Sequence, residues 1–84
     1  MQRQPVDSTT FISIGYDAEK CELDLEYRKS GKVYRYFDVP LDEHTAFMAA
    51  ESKGEYLNKV FKLRGYHFEI VEDPEDHSYL KKRA

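Results

Sequence analysis

The residues best suited to chemistry in this sequence are basic side chains interleaved with aromatic rings. Lysine and arginine can neutralise phosphates, and exposed rings can stack on the bases of a single strand. Positive charge is concentrated in residues 28–35, which contain no acid, and in residues 53–64, which contain one. The candidate nucleic-acid-binding residues are Arg28, Lys29, Lys32, Arg35, Phe37, Lys53, Lys59, Lys62 and Arg64. Lysines on a hairpin tip or a helix face are more often simply solvated, so that alternative stays open.

Tyr34 and Tyr36 form a Tyr-x-Tyr pair that could stack on bases or belong to the core. If Ser30–Gly31 are the two turn residues of a hairpin, Tyr34 lies opposite Tyr27 and Tyr36 lies opposite Leu25. Both rings would then face the core, with their hydroxyls reaching an edge. The sequence therefore favours a structural role for this pair over a stacking platform.

The opposite face of the same hairpin carries Val33, Arg35 and Phe37, which makes it the better candidate for an open platform. The same register places Arg35 beside Glu26, as a cross-strand ion pair worth a few tenths of a kcal/mol. A bulged turn would exchange the two faces of the hairpin.

No catalytic or metal-binding pattern stands out in the sequence. His44, His67 and His77 have no helical i, i+4 spacing and no accompanying carboxylate cluster. Cys21 is the only cysteine, which excludes an internal disulfide and makes a reducing cytoplasm the expected location. Residues 52–54 lack the frame of a phosphate-binding loop. We therefore expect a protein that is not an enzyme and has no cofactor.

Composition limits the partners that the chain can have. Its 84 residues are enough for one domain, with seven tyrosines and five phenylalanines to supply core area. A net charge of −3 argues against a protein coated by nucleic acid, so any phosphate binding must be local. No run approaches the ~18 apolar residues of a membrane span.

Period-two alternation predicts three strands that form an antiparallel meander. In the first strand, Ile12, Ile14 and Tyr16 share the apolar face. In the second, the apolar face consists of Cys21, Leu23, Leu25 and Tyr27. The third strand ends at Val39–Pro40, because proline lacks a backbone donor and restricts the residue before it.

Two short helices follow the proline. The first is predicted over residues 41–51, with Phe47 and Met48 towards the sheet. The second contains Tyr56 and ends before Gly65, a candidate C-cap. Residues 66–71 alternate again and predict a last strand. We therefore expect an α+β fold of order β-β-β-α-α-β, with both helices on one face and the last strand joining the sheet.

The two ends of the chain carry no apolar pattern. Residues 1–7 are predicted to be a flexible leader, and residues 72–84 a charged, mobile tail. The domain itself is expected to span residues 8–71.

Several motifs together resemble one known family. They are Ser-Ile-Gly-Tyr at 13–16, Leu-Asp-Leu-Glu-Tyr at 23–27, the segment from Tyr34 to Pro40, and Ser-Lys-Gly-Glu-Tyr-Leu-Asn at 52–58. In this order they closely resemble the KTSC domain, named for its presence at the C-terminus of some lysyl-tRNA synthetases and also found as a free-standing bacterial or phage protein. The resemblance covers residues 8–68, and the Tyr-x-Tyr pair is its central mark. Attachment to a synthetase implies a role in RNA binding.

Taken together, the sequence predicts a small non-enzymatic binding module that binds single-stranded or tRNA-like RNA weakly through its two basic zones. The alternative is a protein-interaction adaptor, of phage origin, that uses the open sheet face or an edge strand. The expected partner is thus RNA or another protein, with no membrane and no small-molecule cofactor.

Overall fold

Five antiparallel strands lie side by side in chain order, and the helices are inserted between the fourth and the fifth. The computed structural model describes residues 3–71. The strands are β1 (Arg3–Pro5), β2 (Phe11–Asp17), β3 (Glu22–Tyr27), β4 (Val33–Tyr36) and β5 (Phe68–Val71). The helices are α1 (Leu41–Ala49), α2 (Lys53–Lys59) and a 3-10 helix (Phe61–Arg64). The α+β class is confirmed, and the predicted last strand joins the sheet as β5 beside β4.

The N-terminal residues differ from the predicted leader. Arg3–Pro5 pair with β2 and form an edge of the sheet among the described residues, and Val6 packs against the core. Pro5 is tolerated there because an edge strand has one side without sheet partners. The predicted tail, residues 72–84, lies outside the described residues.

The predicted apolar face of the first strand is wrong at one position. Phe11 and Ile14 are fully buried, whereas Ile12 is only partly buried. The cause is a register irregularity between Phe11 and Ser13, which breaks the alternation at the start of β2. A bulge of this kind leaves no periodic signal in a single strand.

The hairpin of β3 and β4 is shifted by two residues from the predicted register. Its pairs are Leu23 with Tyr36, Asp24 with Arg35, Leu25 with Tyr34, and Glu26 with Val33. The backbone N–H of Tyr27 donates to Lys32 O, and that of Gly31 donates to Tyr27 O, so the turn is longer than the predicted two residues. Because the shift is an even number, Tyr34 and Tyr36 stay on the predicted side of the sheet.

The core lies between the sheet and the helices, on the face that carries Leu23 and Leu25. Phe47 of α1 occupies its centre, because its ring centroid lies 5.7 Å from that of Phe11 and 5.3 Å from that of Phe61. Met48 packs against the same cluster. The predicted placement of Phe47 and Met48 towards the sheet is therefore confirmed.

The second predicted helix consists of two pieces. Ser52 caps α2 by accepting a hydrogen bond from the backbone N–H of Glu55. Val60 breaks the α-helical geometry, and the 3-10 helix that follows ends at Gly65, whose φ of 74° is left-handed. Glycine adopts this conformation without a Cβ penalty, as the C-cap prediction requires.

Gly54 allows α2 to approach the sheet closely. A Cβ at this position would lie 2.2 Å from Thr10 Oγ1 and 3.2 Å from Thr10 Cβ. Ser52–Gly54 are therefore a packed helix corner, in agreement with the exclusion of a phosphate-binding loop.

The alternation predicted Cys21 on the core face of the second strand, but Cys21 lies outside the strand. It precedes β3, has a φ of 55° and is half-buried. Its thiol lies 3.8 Å from the carbonyl oxygen of Ala18, in the turn between β2 and β3.

Candidate functional site

A groove of about 460 Å³ opens where the helices leave part of the sheet uncovered. Its lining is largely aromatic, and we call it the aromatic groove. The sheet contributes Tyr27, Tyr34, Tyr36 and Phe68, the β3–β4 turn contributes Lys29 and Ser30, and the segment after α2 contributes Phe61, Lys62, Gly65 and Tyr66. Apolar concave surfaces with a few polar groups are the usual form of a binding site.

The rings of the groove form a continuous series from the core to the surface. Tyr36 is buried, whereas Phe68 is 52% exposed. Tyr34 lies next to both, with its ring stacked on that of Phe68 at 5.3 Å and on that of Tyr36 at 6.4 Å. Tyr27 meets Tyr34 edge to face at 4.8 Å. Tyr34 and Phe68 thus offer ring surface to a ligand, on a rigid base of buried rings.

The two residues of the Tyr-x-Tyr pair differ in burial. Tyr36 is a core residue, as predicted, and its ring packs edge to face on Phe61 at 4.9 Å. Tyr34 is half-buried and lines the groove. The sequence pattern does not distinguish the two tyrosines, because both face inward on the same strand.

Two tyrosine hydroxyls lie at the base of the groove, where those of Tyr27 and Tyr36 are 3.1 Å apart. Burial raises the pKa of both side chains, and the mutual hydrogen bond raises that of Tyr27 further. Both hydroxyls are consequently protonated at neutral pH. They can exchange hydrogen bonds with a ligand, but they are poorly suited to act as bases.

Two lysines flank the aromatic groove. Lys29 lies in the β3–β4 turn and Lys62 lies in the 3-10 helix, and both side chains are exposed. Lys32 is exposed in the same turn as Lys29. Within residues 3–71, none of these three ammonium groups has an acidic partner within 4 Å. The structure thus brings together one lysine from each of the two predicted basic zones.

Two of the predicted arginines instead hold the fold together. Arg28 donates from Nε to Ser8 O and from Nη2 to Phe11 O, both at 3.2 Å. Arg35 makes two hydrogen bonds to Asp24, at 2.9 and 3.0 Å. Two N–H groups of each guanidinium are thus used in contacts within the chain.

The remaining basic candidates also have partners within the chain. Lys53 donates to Ala50 O at 3.1 Å, and Lys59 forms an exposed ion pair with Glu55 at 3.5 Å. Arg64 pairs with the carboxylate of Glu43 at 2.7 Å. Of the candidates in the second basic zone, Lys62 is the one that lines the aromatic groove.

The predicted open platform on the other sheet face is wrong. Val33 is only 4% exposed, and Arg35 pairs with Asp24 rather than with Glu26. Glu26 instead accepts a hydrogen bond of 2.7 Å from the hydroxyl of Ser13. This face is a network of polar contacts between strands. Phe37 is half-buried beyond the end of β4 and does not line the groove.

A buried carboxylate that the sequence did not single out lies next to the groove. Glu43 of α1 is 5% exposed and accepts hydrogen bonds from Arg64 Nε at 2.7 Å, from the Tyr66 hydroxyl at 2.9 Å and from the Tyr56 hydroxyl. We call these four residues the Glu43 cluster. Burial alone would raise the pKa of Glu43, but the hydrogen bonds from Tyr56, Tyr66 and Arg64 outweigh it and lower that pKa. Burial and the bond to Glu43 raise the pKa of Tyr66 to about 12.

Metal binding finds no support in the described part of the chain. Residues 3–71 contain no group of three or more histidine, cysteine or acidic side chains placed to hold an ion. The ring of His44 stacks on that of Tyr16 at 4.5 Å, and burial lowers the pKa of His44. His67 is exposed, and His77 lies outside the described residues. No helix within residues 3–71 is long and apolar enough to cross a membrane.

The fold and the sequence of this chain both match one family of small domains. The family model of the KTSC domain matches residues 7–66. The crystal structure of a KTSC domain protein from Yersinia pestis superimposes with a TM-score of 0.78 at 38% identity, and the match covers 84% of this chain and 97% of that one. The chain belongs to the KTSC domain family, and the resemblance noted from its motifs is confirmed.

Two relatives can be aligned with this chain over most of their length. An uncharacterised protein of Stutzerimonas stutzeri is 38% identical over 68 residues, which are 81% of this chain and 94% of that protein. A protein of Tsukamurella paurometabola is 36% identical over 61 residues, which are 73% of this chain and 90% of that protein. The domain thus accounts for nearly the whole length of each relative.

Proposed function

We propose that this protein is a small non-enzymatic module that binds single-stranded RNA weakly in the aromatic groove. The observation that carries the proposal is that the stacked pair of Tyr34 and Phe68 lines the same groove as two exposed lysines, Lys29 and Lys62. Aromatic rings beside positive charge are the usual means of holding a single strand, since bases stack and phosphates pair.

Electrostatics supports a single-stranded ligand of short length. The whole chain carries a net charge of −3, so attraction to phosphate must come from the local lysines. Three exposed lysines give modest affinity, and we expect binding no tighter than micromolar at physiological salt. A duplex would offer no unstacked base to Tyr34 or Phe68.

The test is a fluorescence titration of a labelled short RNA with the purified protein. Phe68→Ala should weaken binding about tenfold, which corresponds to the loss of one base stack. Leu41→Ala is the matched control, because Leu41 is 56% exposed but does not line the groove. Absence of binding at low salt, or equal effects of the two substitutions, would overturn the proposal. A duplex of the same sequence should bind more weakly than the single strand.

A second candidate function follows from the edge strand β5. Within the described residues, β5 has a neighbour only on the β4 side, and it exposes Phe68 and Ile70 by about half each. An extended peptide could pair with this edge, as in a protein-interaction adaptor. Ile70→Ala separates the two functions, because Ile70 does not line the aromatic groove. Weaker RNA binding in this variant would count against the groove as the site.

A further inference from the structure

We propose that Glu43 is a positioning residue for the aromatic groove, although it does not itself line the groove. Its carboxylate fixes the segment 61–66, which forms one wall. The effect on RNA rests on the proposed function, whereas the effect on the wall does not.

The geometry of the Glu43 cluster links helix α1 to both sides of one turn. Glu43 Oε1 accepts hydrogen bonds from Arg64 at 2.7 Å and from Tyr66 at 2.9 Å, and these two residues flank Gly65. The other oxygen accepts from Tyr56 of α2. A single carboxylate thus holds the turn at Gly65 against two helices.

The turn held in this way is part of the groove. Gly65 and Tyr66 line it, and so does Lys62 of the preceding 3-10 helix. Tyr66 also packs on Phe61 with a centroid distance of 5.0 Å, so a displacement of the Tyr66 ring would also displace Phe61, a second lining residue. On its other side, Tyr66 borders a cavity of about 310 Å³ beside Glu43. Tyr66 therefore lies between Glu43 and the aromatic groove, and it contacts both.

Only an ionised carboxylate satisfies this arrangement. Tyr66 and Arg64 both donate to the same oxygen, and Tyr56 donates to the other. A glutamine has the same shape but no charge, and its amide nitrogen can only donate, so the Tyr56 hydroxyl would have to accept a hydrogen bond instead of donating one. The Tyr56 O–H would then lose its acceptor in the cluster, and Arg64 would lose its charged partner, so the turn at Gly65 would be held less firmly.

The experiment compares Glu43→Gln with Asp42→Asn in the same protein. Each substitution removes one negative charge from α1, but Asp42 is exposed and makes no hydrogen bond or ion pair among the described contacts. If only net charge mattered, both variants would bind RNA slightly more tightly. We expect Glu43→Gln to bind short RNA about fivefold more weakly, through partial loss of stacking and of the Lys62 contact, and Asp42→Asn to bind at least as tightly as the unchanged protein.

Tyr66→Phe is the second variant, because it keeps the ring and the net charge and removes only the hydroxyl. We expect it to weaken RNA binding in the same direction as Glu43→Gln. The double variant should lose less than the two single losses added together, since both act through one hydrogen bond. If Glu43→Gln fails to fold, Tyr66→Phe alone tests the proposal.

Amide chemical shifts provide the readout that does not depend on RNA. In Glu43→Gln and Tyr66→Phe, the shifts of residues 61–66 and of Phe68 should change, while those of β2 and β3 should stay in place. Unchanged shifts in the groove wall would overturn the proposal even if RNA binding fell. If neither the unchanged protein nor the variants bind RNA, but the chemical shifts of residues 61–66 change as expected, the proposed function fails and the positioning role of Glu43 stands.

Discussion

Arg35 holds the carboxylate of Asp24 with two hydrogen bonds, at 2.9 Å from Nε and at 3.0 Å from Nη2. The two residues are direct cross-strand partners on β3 and β4, on the sheet face away from the helices. Asp24 is only 1% exposed, and the nearby carboxylate of Glu22 lies 3.7 Å from the same guanidinium. This ion pair is therefore a buried structural contact, and the hydrogen bond to Asp24 raises the pKa of Arg35.

Asp24→Ala should lower the free energy of unfolding by about 2 kcal/mol, because it removes both hydrogen bonds to the Arg35 guanidinium and leaves it only the Glu22 carboxylate at 3.7 Å. The measurement is urea denaturation followed by circular dichroism. Lys59→Ala is the control, since it breaks an exposed ion pair worth less than about 0.5 kcal/mol. Similar losses in both variants would show that Arg35 is as well solvated as a surface residue.

Tyr36→Ala should cost on the order of 3 kcal/mol, as large aromatic truncations in a core do. Tyr36 is 7% exposed and packs on Phe61, and its hydroxyl meets that of Tyr27. Tyr36→Phe isolates that hydrogen bond, with an expected loss of about 1 kcal/mol. Urea denaturation measures both variants. A loss below about 0.5 kcal/mol in Tyr36→Ala would place the ring outside the core.

Much of the sheet was predictable because alternation reports directly on a half-buried strand. The alternating leucines of β3 gave the inward face, and the proline after Val39 gave the change to helix. The hairpin register was not predictable, because the turn length depends on contacts with another strand. The backbone N–H of Arg28 donates to Thr10 O, just before β2, at 2.9 Å, and no pattern within the hairpin sequence reports this contact.

The aromatic groove was predictable only in part. Its lysines were candidates from their types, whereas the sequence favoured a structural role for Tyr34. Phe68 contacts Tyr34 because β5, which follows both helices in the sequence, pairs with β4. Glu43 gave no signal, because an acid in the first turn of a helix ordinarily complements the helix dipole. Five of the candidate cations turned out to have partners in the chain because the sequence does not show which acids and carbonyls lie near them.

The pKa of Glu43 predicts how stability depends on pH. Since the folded protein holds this pKa below its unfolded value of about 4.3, the ionised carboxylate stabilises the fold above that value. The contribution is lost as the pH falls through the lowered pKa. The free energy of unfolding, measured by urea denaturation, should therefore fall between about pH 7 and pH 3, and it should fall less in Glu43→Gln. Asp42→Asn should retain the full decline, and an identical decline in Glu43→Gln would contradict the assignment.

The salt dependence of RNA binding measures how many cations meet phosphates. If Lys29, Lys32 and Lys62 are the contacts, the slope of log K against log salt should be about −2 for a single strand. The substitution of all three by glutamine should bring the slope close to zero without unfolding the protein, since exposed lysines contribute little to stability. Lys20→Gln is the control, because Lys20 is exposed in the turn between β2 and β3, away from the groove. A slope near −3.5 would require about five phosphate contacts, and cations with partners in the chain would then have to contact the RNA as well.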